Sequence, residues 1–324
     1  MELTMAIILF LVGIVLIVKG GDFFVDAASW IAEISGIPKL IVGATIVSLA
    51  TTLPEMLVSV MAAAGGEVEM SVGNAVGSVT ANIGLIMAIS LVCMPAVIKR
   101  KDYLVKSILM LAAAGLIVAS GLKGEVGIGI SALLIVIFLV FMWDNVASAL
   151  RSMKEEKEGG KRRGWSDAGR KEVLVNFVKF VLGAVGIVGG AQLLVDNGKV
   201  LADIARIDER IIGVTIIAVG TSLPELVTTV TAIVKKQSSL SIGNILGANI
   251  IDLALIMPIS ALVSGKALPI DPSSARFDFP ACLIAGCIAV IPTMITGRFR
   301  KWQGVLLLAV YAVYMFLTCT AGGM

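Results

Sequence analysis

The chain has no histidine. That removes HExxH zinc sites and Ser-His-Asp triads from consideration. Charge is also scarce: 15% of the 324 residues are charged, against about 25% in a soluble globular protein. The four cysteines (Cys93, Cys282, Cys287, Cys319) show no CxxC spacing and lie in or beside apolar runs. A small buried hydrophobe is the plain expectation for each. Residues 1–4 carry an acid and no base, so no cleavable leader is expected and the first apolar stretch should remain as a helix. Tryptophans are few. Trp30, Trp143 and Trp302 fall near the ends of apolar runs, where interfacial anchors sit, and Trp165 lies in a charged segment.

What remains is apolar. Hydrophobic residues make up 58% of the chain, and the mean hydropathy is +0.99. Many runs approach the length that crosses a bilayer, so the fold class is an all-α polytopic membrane protein. Ten transmembrane helices are predicted, over 3–35, 40–65, 70–98, 104–122, 126–150, 173–205, 210–234, 240–264, 279–296 and 302–321. The first is long and is interrupted by Lys19, Gly20, Gly21 and Asp22. Residues 151–172 mix both charge signs with glycine and read as a solvated linker, with a regulatory or lipid-headgroup contact as the lesser option.

Basic residues set the orientation. With 151–172 in the cytoplasm, alternation of ten spans puts eighteen lysines and arginines on that side. The other side receives five: Lys123, Arg206, Arg210, Lys266 and Arg276. A cell-membrane protein with both termini outside follows. Domains are then 1–150 and 173–324, five helices each, joined by 151–172. An odd number of spans per unit inserts the second upside down relative to the first, a construction of secondary transporters.

The two units share sequence. Thr45–Glu55 reads TIVSLATTLPE and Thr215–Glu225 reads TIIAVGTSLPE. Ser71–Asn82 reads SVGNAVGSVTAN and Ser241–Asp252 reads SIGNILGANIID. One ungapped offset of 170 residues aligns Glu55 with Glu225, Asn74 with Asn244 and Asn82 with Asp252. It also aligns Gly20 with Gly190 and Asp26 with Asp196. That register marks an internal duplication.

Each copy carries a carboxylate inside an apolar run. Thr45, Ser48, Thr52 and Glu55 share one helical face, bordered by Thr51. Pro54 lacks an N–H and clashes one turn back, so the helix should break near residues 51–54 and free main-chain oxygens, starting with that of Ala50. Thr215, Ala218, Ser222, Pro224 and Glu225 repeat the design, with Gly220 and Thr221 at the break. Asn74, Ser78 and Asn82 form one polar stripe beside Gly73 and Gly77; Asn244, Ala248 and Asp252 form another beside Gly243 and Gly247. Together these supply only oxygen and amide groups, which suit hard cations such as Ca2+, Na+, Mg2+ or K+. Two glutamates left charged in a bilayer would cost at least about 2.5 kcal/mol each. A site poorly tolerated empty and competed for by several ions is the basis of exchange.

Blander readings stand beside this one. A single buried Glu can be a structural hydrogen-bonding residue, though two at equivalent positions, each after a proline, weaken that reading. Hydroxyls in membrane helices often bond their own backbone. Glycine pairs more often serve packing. Asp22, Asp26 and Asp196 read as partners of Lys19 or Lys199, or as residues near an ion entrance; Lys19 and Lys179 read as snorkelling or paired.

At these motifs the chain resembles the sodium/calcium exchanger family, prokaryotic type. GATIVSLATTLPE with GNAVGSVTANIG, and GVTIIAVGTSLPE with GNILGANIID, are similar to its two α-repeats, and the likeness covers essentially the whole chain. The resemblance implies ten helices, with the second, third, seventh and eighth forming the ion sites and the first and sixth sliding across them. It implies that Glu55 and Glu225 are shared Ca2+ and Na+ ligands. Thr51 and Thr221 would give main-chain oxygens to Ca2+. Thr52, Ser78, Ser222 and the carbonyls of Ser48 and Ala218 would serve Na+. Asn82 and Asp252 would complete the central site, with Asp252 able to carry a proton.

Three departures stand out. Ala50 replaces a frequent glycine, Thr52 a more usual serine, and Ala248 a common serine. The last removes a Na+ ligand and leans towards proton coupling. The expected function is thus Ca2+/Na+ antiport by alternating access, with no cofactor and no catalytic residue. The transported ions are Ca2+ and Na+, or H+ in a proton-coupled alternative; a gated cation channel is less favoured, and an intramembrane hydrolase is remote. The expected surroundings are the lipid bilayer, with no nucleic acid and no obligate protein partner.

Overall fold

The computed structural model describes residues 2–95, 97, 99–159, 168–204 and 222–321. Helices α1 (Glu2–Ser35), α2 (Lys39–Thr51), α3 (Leu53–Ala64), α4 (Val68–Cys93) and α5 (Arg100–Gly121) come first. A two-residue strand β1 (Glu125–Val126) and α6 (Ile128–Gly159) follow. Then come α7 (Arg170–Ile204), α8 (Leu223–Val234), α9 (Ser238–Ser264), β2 (Leu268–Pro269), α10 (Ser274–Thr296) and α11 (Lys301–Ala321). Eight of these helices are long and apolar enough to cross a membrane, and α2 with α3 forms a ninth, broken span bent by 47°.

Helix ends differ from expectation in two places. Helix α1 runs unbroken through Lys19–Asp22. Helix α6 continues through RSMKEEKE to Gly159, and α7 begins at Arg170. Much of the charged segment read as linker is therefore helical. Its residues up to Glu158 are mostly straight-chain helix formers, and the first break signal is the Gly159–Gly160 pair. The predicted seventh span is described only from Ser222 onward.

Helices equated by the 170-residue offset run antiparallel. Helices α1 and α7 cross through glycines: a Cβ on Gly13 would lie 2.9 Å from the Gly190 oxygen, and one on Gly20 would lie 2.9 Å from that of Gly183. Those two contacts are exchanged by the offset. Helices α4 and α9 behave alike. Ser71 bonds Ser260 at 2.9 Å near one end, and Ser90 meets Ser241 at 3.4 Å near the other; the offset exchanges these as well. Helices α2 and α9 instead run parallel, with Leu40 against Gly243 and, one turn further along both, Ala44 against Gly247.

Loops sort into two sets by contact. Lys39 donates to Gln237 at 2.8 Å, Val97 bridges Arg298, and Trp30 donates to Glu172 at 2.9 Å. At the opposite end β1 pairs antiparallel with β2. Lys235 bonds Asp26 at 2.7 Å and Asp22 at 3.4 Å, joining the end of α8 to α1. Neither aspartate uses Lys19, and Asp196 accepts from Gln192 of its own helix. A fully buried Lys106 pairs with Asp144 at 2.7 Å, tying α5 to α6.

The core lies between α4, α5, α9 and α10, where Val76, Ile83, Met110, Ile250 and Phe279 are buried. Of the cysteines, Cys282 is buried but Cys93 is exposed, so the buried-hydrophobe expectation does not hold for both.

Candidate functional site

Proline decides the local geometry. Helix α2 stops at Thr51 and α3 starts at Leu53 with Pro54 in its first turn. Thr52 between them has φ −84° and ψ −3°. Its repeat equivalent Ser222, ahead of α8 and Pro224, has φ −88° and ψ 9°. The same backbone geometry thus precedes both prolines. Glu55 and Glu225 each fall in the first turn of the new helix. There the positive end of the helix dipole favours a carboxylate. The Ala50 carbonyl lacks the N–H donor that a residue other than Pro54 would supply, and the last carbonyls of α2 have no intrahelical donor.

The other two walls come from α4 and α9. Each is interrupted by a wide, π-helical turn, at Asn82–Met87 and Asp252–Ile256. Asn82 and Asp252 open these turns at equivalent positions. Such turns disturb the regular ladder and recur at functional sites.

Burial is nearly complete. Ser48, Thr51, Thr52, Glu55, Ser78, Asn82, Ser222, Glu225 and Asp252 are all buried. Some contacts cross between the repeats. Thr52 donates its hydroxyl to Oε1 of Glu225 at 3.1 Å, and Thr51 donates to Oδ1 of Asn244 at 3.2 Å. The carboxylates of Glu55, Glu225 and Asp252 lie within electrostatic reach of one another. The plain expectation for hydroxyls holds at Thr45, bonded to the Ile41 oxygen at 2.7 Å, and at Ser48, bonded to that of Thr45 at 3.2 Å.

Most of the described side-chain polar atoms at this centre have no partner among the described residues. Among the described residues, both carboxylate oxygens of Glu55, both of Asp252 and Oε2 of Glu225 are buried without a hydrogen bond. So are Oγ of Ser78, Oγ of Ser222 and both polar atoms of the Asn82 amide. Buried polar groups are ordinarily paired. A concentration of unpaired oxygens, with three carboxylates among them, can accept a cation. No three acidic, cysteine or histidine side chains among the described residues converge tightly enough to ligate one ion by themselves. Hydroxyl, amide and main-chain oxygens would have to complete any shell.

Two residues named from the sequence, Ala218 and Thr221, lie outside the described residues, as does Thr215. Two others went unnamed as site neighbours: Ser59, which accepts from Asn74 at 2.9 Å, and its equivalent Thr229, buried without a partner. Their signal was available, since both are hydroxyls one turn beyond the repeated glutamate.

The sequence profile described as sodium/calcium exchanger protein matches residues 5–146 and 175–320. The sodium/calcium exchanger MaX1 of Methanosarcina acetivorans is 28% identical over 352 residues, spanning 97% of this chain and 98% of its own. An uncharacterized membrane protein of Methanocaldococcus jannaschii, MJ0091, is 29% identical over 313 residues, spanning 94% and 95%. Among solved structures, the sodium-calcium exchanger NCX_Mj soaked with 10 mM Na+ and zero Ca2+ superposes with a TM-score of 0.79 at 26% identity, covering 96% of this chain and 98% of that one. The profile match spans both repeats and most of the chain: this protein belongs to the sodium/calcium exchanger family, whose members are membrane transporters and not enzymes.

Proposed function

We propose that the protein exchanges Ca2+ for Na+ across the membrane by alternating access, at a centre formed by Glu55, Glu225, Asn82 and Asp252. Main-chain oxygens of Thr51 and Thr221 join these on Ca2+. Thr52, Ser78, Ser222 and the main-chain oxygens of Ser48 and Ala218 hold Na+. The observation that carries this reading is the cluster of buried carboxylate oxygens around Glu55 and Asp252 that have no partner among the described residues. Leaving them charged and empty is unfavourable in a bilayer, so the unloaded centre resists crossing. Ca2+ and Na+ compete for overlapping oxygens, and each drives the other out.

The scaffold is ten helices in two inverted repeats, 1–150 and 173–324. Support comes from the antiparallel runs of α1 against α7 and α4 against α9. Both termini face outward and the 151–172 segment faces the cytoplasm, because basic residues crowd the end that carries Lys39, Lys99, Lys235 and Arg298.

Proton coupling is the second reading, favoured by Ala248. It is fully buried where the first repeat has Ser78, so one hydroxyl is missing. Ca2+ uptake into proteoliposomes separates the two. Uptake driven by an outward Na+ gradient, and not by a pH gradient, supports Na+ exchange. Uptake driven only by the pH gradient replaces it with proton exchange, and no uptake under either gradient overturns both.

A further inference from the structure

Asn74 and Asn244 occupy equivalent positions in the two repeats but are bonded differently. Asn74 donates to the Ser59 hydroxyl at 2.9 Å and to the Glu55 main-chain oxygen at 3.3 Å. It clamps the start of α3 onto α4. Asn244 makes no such clamp. Its Oδ1 accepts from Thr51 of the other repeat at 3.2 Å. Its Nδ2 is buried without a partner among the described residues. The hydroxyl that the offset assigns to it, Oγ1 of Thr229, is also buried and unpaired. A donor and its acceptor lie idle in one repeat where their counterparts are bonded in the other.

An idle buried polar pair is unfavourable. It is tolerable if a second conformation uses it. Inverted repeats supply such a conformation, because each repeat can take up the arrangement now held by the other. We propose that the two amides exchange roles during transport. In the alternate state Asn244 releases Thr51 and clamps the Glu225 main-chain oxygen and Thr229. Asn74 then releases Ser59 and the Glu55 main-chain oxygen. Neither amide needs to touch the ion. Both are positioning residues that set where the two glutamate backbones sit. The inference rests on the exchanger reading above and deepens it.

Ser59→Ala removes a bond made in the described conformation. Thr229→Val removes one made only in the alternate state. Each should shift the equilibrium between the states by about fivefold, the size of one net hydrogen bond, and in opposite directions. The shift is read in purified protein as the distance distribution between spin labels at exposed Met5 of α1 and Met61 of α3. It is read again in sealed vesicles as the ratio of apparent Ca2+ affinities at the two faces. Thr229→Ser keeps the hydroxyl and should match the parent protein. An unchanged distribution in Thr229→Val, or a shift in the same direction as Ser59→Ala, overturns the exchange. The spin-label readout does not depend on which ion is carried, so it stands or falls separately from Ca2+ uptake by the parent protein.

Discussion

Thr52 of the first repeat donates its hydroxyl to Oε1 of Glu225 in the second, at 3.1 Å. The two glutamates are therefore not equally supplied. Among the described residues, Glu225 has one oxygen satisfied by protein, whereas Glu55 has neither. The carboxylate most dependent on a cation is then Glu55. The contact also couples the α2–α3 break to α8, since the donor sits at that break and the acceptor in the first turn of α8.

The first prediction concerns charge. Glu55→Gln and Glu225→Gln each remove one of the two negative charges proposed to offset a divalent ion. Both variants should lose Ca2+ transport by at least about a hundredfold, since a lost charge-assisted contact in a desolvated site is worth several kcal/mol. Thr52→Val should cost less, about tenfold in apparent affinity, because the carboxylate survives. Initial rates of 45Ca2+ uptake check all three. Robust transport by either glutamine variant would remove the residue from the centre.

The second concerns the inequality of the repeats at Ser78 and Ala248. Ala248→Ser restores the absent hydroxyl on a buried helix face beside Asp252. The expected outcome is a steeper dependence of Ca2+ release on Na+, with the half-saturating Na+ concentration lowered by about threefold to tenfold, the range of one net hydrogen bond or ion–dipole contact. Titration of Na+ at fixed Ca2+ measures it. An unchanged curve means another oxygen already fills that position.

The third concerns the α1–α7 crossing. A Cβ on Gly183 would lie 2.6 Å from the Phe24 nitrogen and 2.9 Å from the Gly20 oxygen. Both are backbone atoms, so the helices must separate. Gly183→Ala should destabilise the crossing by about 1–3 kcal/mol, the usual cost of overpacking, and slow transport. Gly189→Ala meets no described atom within 4 Å and serves as the comparison. Thermal unfolding in detergent should fall for the first and not the second.

Repetition and periodicity made much of the fold readable. A proline ahead of each glutamate announces the break, because it lacks the N–H that Ala50 and its counterpart need, and the 47° bend falls there. Hydropathy marked the long helices to within a few residues. Four things were not readable. The continuation of α6 to Gly159 depends on helix propensity in charged residues, which hydropathy treats as an end. The partner choice of Thr51 and Thr52 depends on the crossing of α2, α8 and α9, and no spacing within one segment encodes it. The wide turns at Asn82 and Asp252 are similarly silent, since a π-helical turn changes the ladder without changing the residue pattern. The pairing of Asp22 and Asp26 with Lys235 is the fourth, as the sequence offered the nearer Lys19.

That last contact carries the fourth prediction. Lys235 closes the end of α8 and binds Asp26 at 2.7 Å and Asp22 at 3.4 Å on α1. The offset maps Lys235 onto Gly65, Asp22 onto Gln192 and Asp26 onto Asp196. One repeat thus has a cation facing two acids, and the other has a glycine where that cation would be. If α1 and α7 shift against the rest of the protein during transport, this ion pair favours the described state over its mirror. The aspartate side chains are 43% and 51% exposed, so the pair is worth no more than about 1 kcal/mol, or roughly fivefold in population. Lys235→Gln should lower the population of the described state by up to that factor. Gly65→Lys, at a helix end with ordinary φ of −77°, should add a cation near Asp196 and stabilise the mirror state. Both variants should therefore move the ratio of apparent Ca2+ affinities at the two faces in one shared direction, and the double variant further still. Opposite movements, or none, would mean that the pair only anchors the helix end.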